Sequence, residues 1–352
     1  MKKLLFLLTL PLLTLTSEAQ RVYTSKIGNN NAMFWIPAGL DTTQPVNAIF
    51  FSIGAGEQGT DASKLTVHGP FQYAKTGIDM HTRSIIVAIQ NPTTSPNPQP
   101  SEVGGWLDGL AKLYKINKIV VTGLSRGGQN WEWFANNSEA NLKRLSGIIV
   151  FSSQGTVSDY PGIAGTLNPA LYLKYNIPIV RGEGDKDFTW TQNYTAHTTM
   201  SIAAPKLDTW IIWPGAGHGD PVWADGYNPL ISATNPLYKV FGRSIYQVAD
   251  SIMGVSPMPP VVYANVPQSA IYTKTGCSCG APSSVTYTVA AGKYTSTTSQ
   301  AAADQLASAD MTANGQNYAN ATGTCAPLVV LTIPLKDGTT FTLYSDGSGI
   351  IK

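Results

Sequence analysis

Gly123-Leu124-Ser125-Arg126-Gly127 is the stretch of this chain best suited to chemistry. An apolar run, Ile119-Val120-Val121-Thr122, precedes it, and Gly128 to Ala135 reads as a helix. Strand, Gly-x-Ser-x-Gly, helix is the setting of a nucleophile elbow. The turn is sharp enough that flanking side chains would clash, so both flanks are glycine. The helix N-terminus favours negative charge developing beside the serine. The bland alternative is an ordinary glycine-rich turn.

A serine nucleophile needs a base, an acid that orients the base, and donors for the oxyanion. After an elbow the acid precedes the base in the chain. The loop Gly182-Glu183-Gly184-Asp185-Lys186-Asp187-Phe188 follows an apolar run and offers the acid. Asp185 is the favoured residue, with Asp187 and Glu183 as rivals. The loop Pro214-Gly215-Ala216-Gly217-His218-Gly219-Asp220 follows Trp210-Ile211-Ile212-Trp213 and offers His218 as the base. The other three histidines are less suitably placed: His68 and His81 precede the elbow, and His197 lies in a Thr-rich segment. The backbone N–H groups of Arg126 and Ala55 are the expected oxyanion donors, with Gly56 the alternative to Ala55. Ala55 lies in Gly54-Ala55-Gly56-Glu57-Gln58-Gly59, which lacks the Gly-Lys-Ser/Thr ending of a phosphate-binding loop.

These loops require a scaffold that gathers strand ends. The runs 48–51, 85–89, 119–121, 147–151, 177–180 and 210–213 are almost continuously apolar, as strands covered on both faces should be. Most are spaced widely enough for a crossover helix. The pattern is α/β and doubly wound, with ligands expected beyond the carboxyl ends of the strands.

Lys2-Lys3, an apolar stretch from Leu4 to Leu15 and Ser17-Glu18-Ala19 read as a secretory signal over residues 1–19. An uncleaved N-terminal anchor is the rival. The 352-residue chain has a formal net charge of +2, and removing Lys2, Lys3 and Glu18 leaves +1. That balance, with no basic cluster, argues against a nucleic-acid partner. No later stretch is apolar enough to insert in a membrane, so a secreted protein, extracellular or periplasmic, is expected.

Composition changes near residue 255. All eight tryptophans lie at or before Trp223. Residues 20–254 are read as the catalytic body, 255–267 as a Pro-rich linker and 268–352 as a small α+β module. In the module, Val285 to Val289 reads as a strand. Ser299 reads as the cap of a helix running from Gln300 towards Ala321. Val329–Ile333 and Thr340–Tyr344 read as a hairpin. Three cysteines, Cys277, Cys279 and Cys325, occur in the chain. In an oxidising compartment Cys325 should pair with one of the other two, because a bond between Cys277 and Cys279 would be strained. No histidine or fourth cysteine stands near enough to suggest zinc.

The body resembles an α/β-hydrolase of the secreted esterase group that includes polyhydroxybutyrate-depolymerase-like and feruloyl-esterase-like carbohydrate esterases. Gly54 to Gly59 resembles that group's His-Gly-x-Gly-Glu-x-Gly loop, and Thr122 to Gly128 resembles its elbow. Gly182-x-x-Asp185-x-x-Phe188 resembles its acid loop, and Gly217-His218 followed by Trp223 and Tyr227 its histidine loop. The match covers most of residues 30–245. Two departures stand out. Ile53 occupies the place of the usual histidine before the first glycine. Arg126 follows the serine, as in glucuronoyl esterases, where that arginine is associated with oxyanion stabilisation; a packing or salt-bridging role is the bland reading. The tail, through Tyr294-Thr295-Ser296 and Asn314 to Cys325, is similar to a Cys-containing module of unassigned function found on secreted bacterial proteins.

The resemblance implies an α/β-hydrolase fold, with a mostly parallel central sheet flanked by helices. It also implies hydrolysis of carboxylic esters by Ser125, His218 and Asp185, with no metal or organic cofactor. Trp190, Trp213 and Trp223 lie in or near the acid and base loops and, where exposed, would suit a sugar or phenolic group; the alternative is that most of them are core residues. An acylated polysaccharide is the leading substrate class, with residues 60–80 and 155–175 shaping acyl specificity. A serine peptidase and an inactive glycan-binding or adhesion protein are the alternatives.

Overall fold

A computed structural model describes residues 20–94, 97–153, 167–256, 262–278, 280–296 and 300–352. The expected signal segment, Cys279 and Ser299 lie outside these residues, as does much of the 155–175 loop. The chain divides into two compact units, Met1–Pro259 and Pro260–Lys352.

Among the described residues, the first unit is built on eight strands: β1 (Arg21–Ile27), β2 (Asn30–Ile36), β3 (Val46–Ser52), β4 (Ile85–Gln90), β5 (Ile116–Leu124), β6 (Gly147–Phe151), β7 (Ile179–Gly184) and β8 (Asp208–Trp213). They form one sheet in the order β1-β2-β4-β3-β5-β6-β7-β8. β3 to β8 run parallel, and β1 and β2 add an antiparallel hairpin at one edge. The hairpin was not expected from the sequence. Six of the seven residues of β1 are exposed, so it carries no apolar run to signal it.

Among the described residues, the helices of this unit are α1 (Pro70–Ala74), α2 (Pro100–Leu113), α3 (Arg126–Asn137), α4 (Glu139–Leu142), α5 (Pro169–Tyr175), α6 (Trp190–Ala203), α7 (Val222–Tyr227), α8 (Pro236–Phe241) and α9 (Ile245–Ile252). Alternate residues of the strands feed two cores, one on each face of the sheet. Ala48, Phe50 and Val121 face Leu110, Trp131, Phe134 and Met200 of α2, α3 and α6. Ile49, Phe51 and Val120 face Phe71, Tyr227, Ile245 and Val248 of α1, α7 and α9. Burial on both faces is why these strands are apolar throughout rather than alternating.

The second unit contains β9 (Tyr263–Ala264), β10 (Gln268–Thr273), β11 (Ala281–Pro282), β12 (Ser284–Val289), β13 (Thr295–Ser296), α10 (Gln300–Thr322), β14 (Cys325–Ala326), β15 (Val329–Pro334), β16 (Thr340–Tyr344) and β17 (Gly349–Ile351). β10 pairs with β12, and Tyr272 of β10 donates to the Met311 carbonyl of α10 at 2.7 Å. β15, β16 and β17 form a three-stranded antiparallel sheet. Cys277 is bonded to Cys325. The expected linker is shorter than residues 255–267. β9 pairs with β13, and the Asn265 side chain donates to the Val266 and Ala290 carbonyls, so the module begins before Gln268.

Candidate active site

β5 ends at Leu124 and α3 begins at Arg126, so Ser125 alone makes the turn. Its φ is 50° and ψ is −122°, a region that residues with a Cβ enter only when surrounding contacts hold them there. One such contact is the Ser125 N–H donating to the Phe151 carbonyl of β6 at 2.9 Å. The turn is packed against the end of β3. A Cβ on Gly127 would stand 2.0 Å from the Ser52 carbonyl oxygen, and one on Gly123 would stand 2.4 Å from the Gly127 carbonyl carbon. Both elbow glycines are therefore dictated by close backbone approach.

The loop after β8 carries His218 to this serine. His218 Nε2 lies 2.8 Å from Ser125 Oγ. His218 Nδ1 lies 3.0 Å from each carboxylate oxygen of Asp187. Asp187 is buried and also accepts the Thr189 N–H at 3.0 Å and the Thr189 hydroxyl at 2.8 Å. Burial alone would raise the Asp187 carboxyl. Its hydrogen bonds to His218, Glu183 and Thr189 outweigh that and hold it well below the usual carboxylate range. The arrangement keeps a full negative charge behind the imidazole.

The expectation that Asp185 orients His218 is corrected. β7 runs on to Gly184, so Asp185 is the first residue of the turn and lies exposed at its outside. Its carboxylate accepts the Gly215 N–H at 2.7 Å, and Lys186 N–H donates to the Ala216 carbonyl at 2.9 Å. Asp185 thus ties the acid loop to the base loop. The turn closes when Asp187 N–H donates to the Gly184 carbonyl at 3.0 Å, returning the chain towards the sheet at Asp187. The same Gly-x-x-Asp spacing, started at Gly184 rather than Gly182, marks Asp187 in the sequence.

Ala55 opens a single 3-10 turn, Ala55–Glu57, directly after β3. A Cβ on Gly54 would stand 2.7 Å from Leu124 Cδ1 and 3.7 Å from Ser125 Cβ, so this backbone lies against the elbow. Ala55 and Arg126 each begin a helical turn, where an N–H has no acceptor within the segment. The Arg126 side chain reaches away to Asn97, in the loop before α2.

Of the three tryptophans, Trp223 alone is beside the histidine. Its ring meets His218 edge-on at 5.2 Å between centroids. Trp213 is corrected to a core residue: it is 2% exposed, packs on Phe151 and donates to Asp225 at 3.1 Å. Trp190 sits at the start of α6, where its ring partners are Tyr194 and Trp210 rather than His218.

Two residues near the histidine were given no role in the sequence reading. Phe188 lies 4.5 Å from His218 between centroids and is 69% exposed. His68 also meets Trp223, at 5.2 Å between centroids, and its Nδ1 lies 2.6 Å from the buried Glu57. The Glu57 hydrogen bond raises the His68 imidazole above its usual range against the opposing effect of burial. A histidine from the turn before α1 thus reaches the Gly54–Gly59 loop. No local spacing signals that contact.

The strand order, with its serine at a sharp turn after the fifth strand and its histidine after the eighth, decides the fold. The first unit is an α/β-hydrolase fold. Among solved structures, the chain is similar to a thermostable esterase at 16% identity, covering 64% of this chain and 63% of that one, with a TM-score of 0.44. It is similar to the feruloyl esterase module from Clostridium thermocellum complexed with sinapinate, at 13% identity, 59% and 84% coverage and a TM-score of 0.43. It is also similar to Thermogutta terrifontis esterase 2 phosphorylated by paraoxon, at 16% identity, 68% and 96% coverage and a TM-score of 0.44. Residues 263–326 match DUF5977, a family of unknown function. A comparison with curated protein sequences finds no relative of this chain. Among the described residues, no group of three or more His, Cys, Asp and Glu side chains is arranged to hold a metal ion.

Proposed function

We propose that the protein is a serine hydrolase that cleaves carboxylic esters. The observation that carries this reading is the continuous hydrogen-bonded chain Ser125–His218–Asp187, with the serine strained at an elbow. Ser125 Oγ attacks the ester carbonyl as His218 Nε2 removes its proton. Asp187 fixes the imidazole so that Nε2 faces the serine, and stabilises the imidazolium. The tetrahedral oxyanion is received by the Arg126 and Ala55 N–H groups. As it collapses, the carbonyl–alkoxide bond breaks and His218 returns the proton to the leaving alcohol. A water, deprotonated by His218, then attacks the acyl-serine. The acid departs and Ser125 regains its proton.

The leaving oxygen must come within reach of His218 Nε2. A ring packed on His218 therefore borders the alcohol half of the substrate. Phe188 offers an open aromatic face there, suited to the C–H face of a sugar. Acyl groups on polysaccharide, acetyl or aromatic, are the substrate class we favour. The signal-like residues 1–19 and the Cys277–Cys325 bond support action outside the cytoplasm.

Initial rates on acetylated xylan, methyl ferulate, a methyl glucuronate ester and a short peptide test the reading. The expected result is turnover of at least one ester and not the peptide. Ser125→Ala should lower kcat by about 10⁶-fold. Cleavage of the peptide alone would make the protein a peptidase. Glycan binding without turnover would make it an adhesion protein, and either result contradicts the proposal.

A further inference from the structure

Behind Asp187 stands a second carboxyl group that the steps above do not use. Glu183, on β7, is buried. Thr189 Oγ1 lies 2.7 Å from Glu183 Oε1 and 2.8 Å from Asp187 Oδ1. A hydroxyl has one hydrogen. With both carboxyls ionised, one of these two contacts would set oxygen against oxygen with no hydrogen between them. One carboxyl of the pair must therefore carry a proton.

The donors decide which. Asp187 receives the Thr189 N–H and faces His218 Nδ1 with both oxygens, so its charge is satisfied three ways. Glu183 accepts from the Asn193 amide of α6 and otherwise faces the carboxyl of Asp187 itself. We propose that Glu183 holds the proton of this carboxyl pair and, through Thr189, keeps Asp187 oriented as the charged partner of His218. Glu183 and Thr189 are then positioning residues; their effect on turnover rests on the function proposed above.

The surrounding charges agree. Burial, and after it the hydrogen bond to Asp187 and its negative charge, push Glu183 up to about 9, against Thr189 and Asn193, which favour its ionised form. Arg181, two residues earlier on β7, does not neutralise Glu183. Its guanidinium is taken up by Glu132 of α3 and Asp208 of β8, and Asp208 also holds His197 of α6. Thr189, just before α6, and Asn193 of α6 face Glu183, and neither is charged. Beyond Asp187 the next titratable group is His218.

The sign of the linkage follows. Folded Glu183 keeps its proton up to about 9, whereas unfolded Glu183 loses it near the ordinary carboxylate value of 4.5. Between those values the native state binds more protons, so stability falls as pH rises. Melting temperatures of the full chain and of Glu183→Gln, from pH 5 to pH 9.5, test this directly. Glutamine cannot titrate but keeps a donor for Thr189. The melting temperature of Glu183→Gln relative to the unsubstituted chain should climb steadily with pH. Parallel melting curves would overturn the proposal.

Ester hydrolysis adds a second reading. Glu183→Gln should keep neutral-pH kcat/KM within about fivefold and lose the alkaline fall that sets in as Glu183 ionises. Thr189→Val, which removes the bridging hydroxyl, should lower kcat by about tenfold with KM unchanged. A folded Glu183→Gln protein with more than about 100-fold less activity at neutral pH would show that an ionised glutamate is needed, and would overturn the assignment. If the unsubstituted chain hydrolysed no ester, the function proposed above would fail, and the melting curves alone would still decide the protonation of Glu183.

Discussion

Ser125 is held at a φ of 50°, a conformation that costs on the order of 1–3 kcal/mol and persists only where neighbours enforce it. The Phe151 carbonyl and the close-packed glycines do so here. Phe188 makes the opposite bargain: a phenyl ring left 69% exposed against the histidine gains little from burial, which fits a role in contact with substrate. Phe188→Ala should raise KM roughly three- to tenfold for esters of a sugar alcohol. It should leave methyl esters of the same acid almost unchanged. Matched kinetics on the two series would check it, and equal effects on both would remove Phe188 from the alcohol site. Ser125 and His218 were legible as residues because their motifs stand alone. Asp187 was not, because Glu183, Asp185 and Asp187 share one short loop, and only the length of the strand before it tells them apart.

That strand, β7, shows why. Its last residues are Arg181-Gly182-Glu183-Gly184, polar and glycine-rich yet buried, so the apolar run ends before the strand does. The other parallel strands were readable from unbroken apolar runs. Arg181 makes β7 possible by satisfying its neighbours. It donates to Glu132 of α3 at 3.1 Å and to Asp208 of β8 at 2.9 Å, and all three are buried. Burial still raises the Asp208 carboxyl despite the opposing charge of Arg181. Arg181→Leu would leave two carboxylates without their cation. Removal of one partner of a buried ion pair costs about 3–5 kcal/mol, so guanidinium unfolding of the variant should shift by that amount. A loss below about 1 kcal/mol would mean the network is solvated.

Over the whole chain, composition changes near residue 255, from a tryptophan-rich first unit to a Thr-, Ser- and Ala-rich second one, and the chain divides into compact units at Pro259 and Pro260. Where the second unit starts was less legible. β9 is only two residues long, between Val262 and Asn265, so its pairing with β13 leaves no periodic trace. The Cys277–Cys325 bond closes a separation of 48 residues within the module, restricting its unfolded chain. The proposed activity rests on the first unit. The most direct test is aryl acetate hydrolysis by the full chain and by Asp187→Asn and Asp185→Asn, each checked for folding by its melting curve. Asp187→Asn should lose about 10⁴-fold in kcat, because His218 loses its charged partner and its tautomer. Asp185→Asn should stay within about tenfold of the unsubstituted chain, since it removes only a tie between two loops. The reverse order, or no loss from either substitution, would contradict the proposed mechanism.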